Sequence, residues 1–312
     1  ALQDSTHINV ERLAASMNLS AAGVSHADMR MLAELFINAT TFGSLIQVPQ
    51  LLAEKLPALS RAGDQTSQDL FNSGELQKLG ALARQAGFLA RQYHAVAANP
   101  PYMGGKGMNR TLKDFARASF PDFSGDLFAC FTKRAQTLAN KSGRISIVAP
   151  FVWMFLSSYE KLREWLLNSS SIQSLVQLEY NAFEPACIPV ATFNLSKPQV
   201  PNFQGTFIRL SSFKGHRNQA PKTLEAIQNP DCGWLFRASS DDFKSIPGAP
   251  ISYWLPDGLR ESFRTCVPIK SICPARRGLE TGDNSRFLRH WHELNLRNLW
   301  ATRPQRGSKL AI

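Results

Sequence analysis

The chain has 312 residues, 44% of them hydrophobic and 19% charged, an ordinary globular composition with material for one large domain or two modest ones. Lys and Arg total 35 against 24 Asp and Glu, a formal net charge of +11. No window approaches ~18 uncharged apolar residues, which excludes a membrane-spanning helix, and no basic-then-apolar leader opens the chain, so a cytoplasmic protein without a membrane partner is expected.

Residues 8–62 read as helical. A short amphipathic stretch covers 9–17, and a stronger one begins after Ser25, with Met29, Leu32, Leu35 and Phe36 at helical spacing. Ser25 is placed as an N-cap, with Asp28 three residues on as its capping-box partner. Pro49 and Pro57 punctuate the remainder of this helical part, and 63–69 is a polar loop. Residues 76–93 repeat Ala and Leu at helical spacing. Then the period changes. Ala95-Val96-Ala97-Ala98 is a short apolar strand, stopped by Asn99-Pro100-Pro101-Tyr102, because two prolines continue neither a ladder nor a helix.

A flexible stretch, 103–107, comes next. Residues 126–138 predict a helix, 144–149 a buried strand, 157–168 a helix, and 171–178 and 188–195 two more strands. Strand and helix alternating in this way is the signature of a wound α/β sheet, whose ligands sit beyond the carboxyl ends of the strands. Asn99 and Pro150 both lie at such ends. Pro and Gly become frequent after Pro198, and a boundary is expected near 198–205. The chain is thus divided into a helical segment (1–75), a sheet-bearing part (76–200), and a linker with the start of a further region (201–312).

The positive charge is uneven. Residues 1–200 hold 18 basic and 15 acidic side chains, and residues 201–312 hold 17 and 9. A basic half is the footprint of a polyanionic partner, nucleic acid first; a merely soluble basic protein is the plainer alternative. Cys130, Cys187, Cys232, Cys266 and Cys273 include no CxxC, so no metal site is expected, and scattered thiols fit a reducing compartment.

The strand-ending tetrapeptide carries the chemistry. The prolines fix the backbone and remove two donors, leaving carbonyl oxygens at the sheet edge, and the Asn99 side chain adds another acceptor. Two oxygens converging on one amino group can take both of its hydrogens, with the nitrogen lone pair aimed outward. Tyr102 offers a ring on which a planar base can stack. A base held in this way is a substrate for attack on an electrophilic methyl group, and its proton can leave after transfer.

This tetrapeptide resembles motif IV of the N6-adenine DNA methyltransferases, and the downstream order is similar to theirs. Gly125-Asp126-Leu127-Phe128-Ala129-Cys130-Phe131 resembles motif V. The strand ending at Pro150, with Phe151-Val152-Trp153 after it, and the segment Ser157-Ser158-Tyr159-Glu160-Lys161-Leu162-Arg163 resemble the next strand, turn and helix. Asn181-Ala182-Phe183 matches a second aromatic against the base. The longer string 99–109, Trp153-Met154-Phe155-Leu156-Ser157-Ser158 and Arg277-Gly278-Leu279-Glu280-Thr281-Gly282-Asp283-Asn284 resemble the adenine methyltransferase of BREX-type (Pgl) phage-defence systems.

The resemblance covers residues 76–295. It implies part of a Rossmann-like methyltransferase sheet, preceded by a helical segment and followed by the start of an irregular DNA-recognition region. It implies S-adenosylmethionine as methyl donor and double-stranded DNA as partner, with other defence proteins as further partners. A flipped adenine would have its N6 held by Asn99 and the Pro100 carbonyl, with Pro101 fixing the turn. Tyr102 would stack on the base and Phe183 would pack against it. Asp126 and Leu127 would border the donor, although Asp126 reads equally well as the cap of the helix after it. Lys106, Arg276, Arg277, Arg286 and Arg289 are candidates for DNA phosphates, or a solvated face together with Arg297.

Other motifs do not hold up. Gly104-Gly105-Lys106-Gly107 lacks the spacing and hydroxyl of a phosphate loop. His290 and His292 are splayed for a zinc pair, His94 stands alone, and Pro121-Asp122 has no Glu-x-Lys downstream. The family's glycine-bearing donor loop and second-strand carboxylate are not found in 1–98. Ala1 in place of Met also points to an internal fragment, inactive by itself. The alternatives are a catalytically silent DNA-binding or assembly module, and a methyltransferase acting on RNA or a protein amide.

Overall fold

The computed structural model describes residues 2–5, 8, 23–64, 70–183 and 188–273. Residues 1–264 belong to one compact unit and those from Thr265 to a second, of which only residues 265–273 are described. The first unit begins with helices. Helix α1 (His26–Leu35) starts at Ser25, whose side chain accepts from the Asp28 amide while the Asp28 carboxylate accepts from the Ser25 amide, completing the capping box. Helices α2 (Ala39–Phe42), α3 (Gln50–Ala53), α4 (Leu56–Asp64) and α5 (Leu70–Ala90) come next. Pro49 is the N-cap of α3, and Pro57 lies in the first turn of α4, where its missing amide costs no bond. Met29, Leu32, Phe36, Leu52, Leu59, Leu79, Leu82 and Ala86 make one buried cluster of this layer. The stretch expected to be helical at 9–17 lies outside the described residues, as do 65–69.

The sheet has six strands in the order β1-β2-β4-β3-β5-β6. They are β1 (Tyr93–Ala98), β2 (Ala139–Pro150), β3 (Ser171–Gln177), β4 (Val190–Ser196), β5 (Gly205–Arg209) and β6 (Leu235–Ala238). Helix α5 therefore stops at Ala90, and Tyr93 opens the strand instead of closing the helix. Two helices separate β1 from β2: α6 (Arg110–Ser119) and α7 (Leu127–Leu138). Helix α8 (Glu160–Ser169) joins β2 to β3. Along β2 the alternate residues Ile145, Ile147 and Ala149 are wholly buried, which is the period-2 pattern of a sheet face against helices.

β1 is parallel to β2, and β3 is parallel to β5. β4 lies between β2 and β3 and is antiparallel to both, so those two run the same way. β1, β2, β3 and β5 therefore all deliver their carboxyl ends to one edge of the sheet. The sheet also crosses the boundary expected near 198–205: β5 pairs with β3, β6 pairs antiparallel with β5, and the compact unit continues through α9 (His216–Gln228), α10 (Ser240–Lys244) and α11 (Asp257–Thr265) to Arg264. In the second unit the short helix α12 (Ile269–Ile272) is described. β1 is an edge strand, as is β6; among the described residues nothing pairs with its outer edge.

Two buried arginines fasten this frame by hydrogen bonds to backbone carbonyls. Arg134 of α7 donates from Nε to Ser44 O (2.9 Å) and from Nη2 to Ile46 O (2.7 Å) and Leu89 O (2.8 Å), tying the helical layer to the sheet layer. Burial pulls its guanidinium down to about 10, still charged at neutral pH. Phe42 and Phe115, stacked at 4.0 Å, bridge the same two layers. Arg163 of α8 donates to Trp153 O and Leu156 O (both 2.7 Å) and to Gly248 O (2.7 and 2.9 Å). It fixes the turn after β2 to a segment far along the chain. Among the described residues no helix is long and apolar enough to cross a membrane.

Candidate active site

The tetrapeptide stands where the sheet delivers its carboxyl ends. β1 stops at Ala98 because Pro100 and Pro101 have no amide to continue the ladder. Asn99 is exposed, Pro100 buried, and Tyr102 half-buried against the main core. The Tyr102 hydroxyl donates to Asn99 Oδ1 at 3.0 Å. Burial pushes the Tyr102 phenol above its ordinary value, so it remains a donor at neutral pH. Among the described residues no backbone amide outside the strand ladders donates to the Pro100 carbonyl. The turn thus carries two acceptor oxygens, Asn99 Oδ1 and Pro100 O, next to the Tyr102 ring in sequence.

The stretch after it, expected to be a flexible loop, is stitched down. Leu127 N donates to Met103 O and Gly105 N to Gly125 O, both at 3.0 Å, and Gly104 bridges Asp126. Gly107 N returns to Gly104 O at 2.9 Å, closing a turn with Lys106 exposed at its tip. A Cβ at Gly107 would lie 2.9 Å from Met103 Cγ, so a larger residue there would push the Met103 side chain aside.

Asp126 is the N-cap of α7, its Oδ1 accepting from Phe128 N at 3.2 Å. Burial raises its carboxyl, opposed by the amides of Phe128, Met103 and Leu127. Its charge also adds to burial in raising the neighbouring Tyr159 phenol, and in pushing the Cys130 thiol up to about 12. The Leu127 side chain is buried in the core. Asp126 thus lies beside the tetrapeptide loop, while Leu127 turns inward.

Two more strand ends complete the edge. After β2, Phe151–Met154 forms a 3-10 turn; Trp153 is fully buried against Phe193, and its Nε1 has no partner among the described residues. After β3 comes Glu179, which is buried. Its Oε2 accepts from Asn181 N (2.9 Å) and Gly215 N (3.1 Å), and its own amide donates to Gln219 Oε1 (3.1 Å). This anchors the stretch leading to Phe183, which is 49% exposed. Glu179 and Arg163 were not singled out from sequence; a lone acid after a strand and a lone arginine in a helix carry no spacing signal. Arg276, Arg277, Arg286, Arg289 and Arg297, the string 277–284 and His290 and His292 lie outside the described residues. Among the described residues no group of His, Cys, Asp or Glu could hold a metal.

These features lie together along the carboxyl edge of the sheet, and the model of the Eco57I restriction-modification methylase family matches residues 8–183, more than half of the chain. The chain belongs to that family. It is 37% identical over 278 residues to the adenine-specific methyltransferase BrxX of Escherichia coli O9:H4 (strain HS), covering 86% of this chain and 22% of that protein. It is 33% identical over 258 residues to the adenine-specific methyltransferase PglX of Lacticaseibacillus casei (strain Zhang), covering 81% of this chain and 21% of that one. The chain thus spans about a fifth of the length of these two relatives. Among solved structures it is similar to the methyltransferase subunit of a type I restriction-modification system from Streptococcus thermophilus, at 18% identity and a TM-score of 0.40, covering 77% of this chain and 65% of that one.

The family implies S-adenosylmethionine, and the described residues do not complete a pocket for it. β1 is an edge strand, and no glycine-bearing strand-to-helix turn stands beside it among the described residues. The Asp126 carboxylate is engaged in capping α7.

Proposed function

We propose that this chain is the base-holding part of an adenine-specific DNA methyltransferase of the phage-defence type. The observation that carries the proposal is that Asn99, joined to the Tyr102 hydroxyl through its Oδ1, and Pro100, whose carbonyl takes no backbone amide outside the strand ladders among the described residues, stand at the carboxyl end of β1. Asn99 Oδ1 and Pro100 O accept the two N6 hydrogens of an adenine turned out of the duplex. The nitrogen lone pair is left pointing away from both oxygens, where an electrophilic methyl carbon would accept it. Tyr102 stacks on the base, and Phe183, on its anchored loop, closes from the side. Lys106, at the tip of its tight turn, meets a DNA phosphate.

BrxX and PglX bear names that say adenine-specific methyltransferase, and they support adenine over the amide of a protein. The incomplete donor side supports a second reading, a DNA-binding or assembly module without catalysis. Calorimetric titration with S-adenosylmethionine, followed by transfer of a labelled methyl group to duplex DNA, separates the two. Expected is label on adenine N6 wherever the donor binds, and its loss with Asn99→Ala. Label that survives Asn99→Ala would sink the assignment of the tetrapeptide. A protein that binds DNA but never the donor would favour the silent module.

A further inference from the structure

A guanidinium stands ready along the same edge, away from the tetrapeptide. Arg209 is the last residue of β5 and pairs in register with Gln177, the last residue of β3. Its guanidinium lies over the Trp254 ring, 4.4 Å from the centroid. Its Nε is buried and bonded to nothing, and among the described residues no carboxylate or carbonyl receives its side chain. The other buried arginines have acceptors: Arg134 and Arg163 hold carbonyls, and Arg260 faces Asp242 and Asp257. A half-buried cation without an acceptor has lost hydration without a replacement.

The ring beneath it is fixed. Tyr253, edge-on to Trp254 at 5.0 Å, donates from its hydroxyl to Gln177 Oε1 at 2.7 Å, and Ile251 N donates to Met154 O at 2.9 Å. Trp254 meets Phe155 edge-on at 5.4 Å, and Phe155 meets Phe151 at 6.5 Å. Phe151 comes directly after β2, the neighbour of β1. A row of partly exposed aromatic rings therefore runs from beside the tetrapeptide to Arg209.

We infer that Arg209, braced on Trp254, binds a phosphate of the DNA strand that delivers the target base. The inference rests on the DNA reading above. Contact with the indole orients the guanidinium, and its two Nη groups, which hold no acceptor among the described residues, can form a bidentate pair with phosphate oxygens. A strand leaving the stack at the tetrapeptide would track the aromatic row, which tolerates any base.

The test is a phosphate scan on a short duplex carrying one unpaired adenine. Single phosphates are replaced by neutral methylphosphonates, and binding by the wild-type chain, Arg209→Gln and Arg209→Lys is measured by fluorescence anisotropy across a salt series. Expected is one phosphate whose neutralisation weakens the wild type roughly tenfold and leaves Arg209→Gln unaffected, with the salt slope of Arg209→Gln lower by about one. Arg209→Lys should keep the slope and lose part of the affinity. Arg209→Gln remaining as sensitive as the wild type to every phosphate overturns the inference. So does an equal loss of slope in Lys141→Gln, an exposed cation at the opposite end of β2. The scan of the unaltered wild type does not depend on any variant folding. If the wild type shows the phosphate effect and binds the donor but transfers no methyl group, the catalytic reading falls and this one stands.

Discussion

The Tyr102 hydroxyl sits 3.0 Å from Asn99 Oδ1, on the oxygen assigned to the incoming amino group. The base and the tyrosine therefore share one acceptor, which has two lone pairs. Tyr102→Phe removes the competing donor and keeps the ring, so base capture should change by only a few fold. Tyr102→Ala also removes the ring and should weaken capture by about 1–3 kcal/mol, the usual worth of base–aromatic stacking. Fluorescence of 2-aminopurine at the target position reports both. Equal losses in the two variants would count against stacking.

Asp126 has two candidate jobs, and its titration separates them. Its folded carboxyl is raised by burial, so between the unfolded and folded values the folded state holds a proton that the unfolded chain has released. That contribution is fully present below the unfolded value and is lost as pH rises through the folded one, so above this window the buried charge opposes folding. Asn caps a helix as well as Asp. Asp126→Asn should therefore leave stability at neutral pH within about 1 kcal/mol of wild type, or raise it, and flatten its fall above the carboxylate range. Urea midpoints across pH check this. A variant that keeps its stability but no longer takes up donor would return Asp126 to the methyl-donor pocket.

Arg134 holds three carbonyls from two separate stretches of chain. Arg134→Met leaves them buried without a donor, at a cost of about 2–4 kcal/mol. Hydrogen exchange should show α1 through α5 losing protection ahead of the sheet. An ammonium cannot span the same three oxygens, so Arg134→Lys should recover only part. Uniform loss across both layers would mean that the arginine is not what joins them.

Glu179 acts through the loop that it anchors, so its effect and that of Phe183 should not add. Glu179→Ala and Phe183→Ala are each expected to lower kcat/KM for methyl transfer, and the double variant should be little worse than either single one. Glu179→Gln, which keeps an acceptor oxygen, should rescue part of the loss. Strict additivity would show that Glu179 serves stability alone.

Much of the first strand and its turn was legible in sequence, because an apolar run stopped by two prolines leaves few alternatives. The Ser25 and Asp28 capping box was legible for the same local reason. The contacts that shape the rest are not local. Arg134 and Ile46 are 88 residues apart, and Arg163 and Gly248 are 85 apart. Strand β6 has only four residues, one of them buried, so no period could mark it. The shift of composition after Pro198 was real, but it reflects short strands and turns within the same sheet.

The outer edge of β1 has a consequence at the bench. His94, Ala95 and Ala97 are exposed there, beside a row of backbone groups that pair with nothing among the described residues. Sheets usually guard such a border with lysine, proline or a bulge; here the register with β2 breaks between Tyr93 and Ala95, and the stretch His94-Ala95-Val96-Ala97 has no lysine or proline. Light scattering should therefore show association that grows with protein concentration, and Ala95→Lys or Ala97→Lys should suppress it without touching the Asn99–Tyr102 turn.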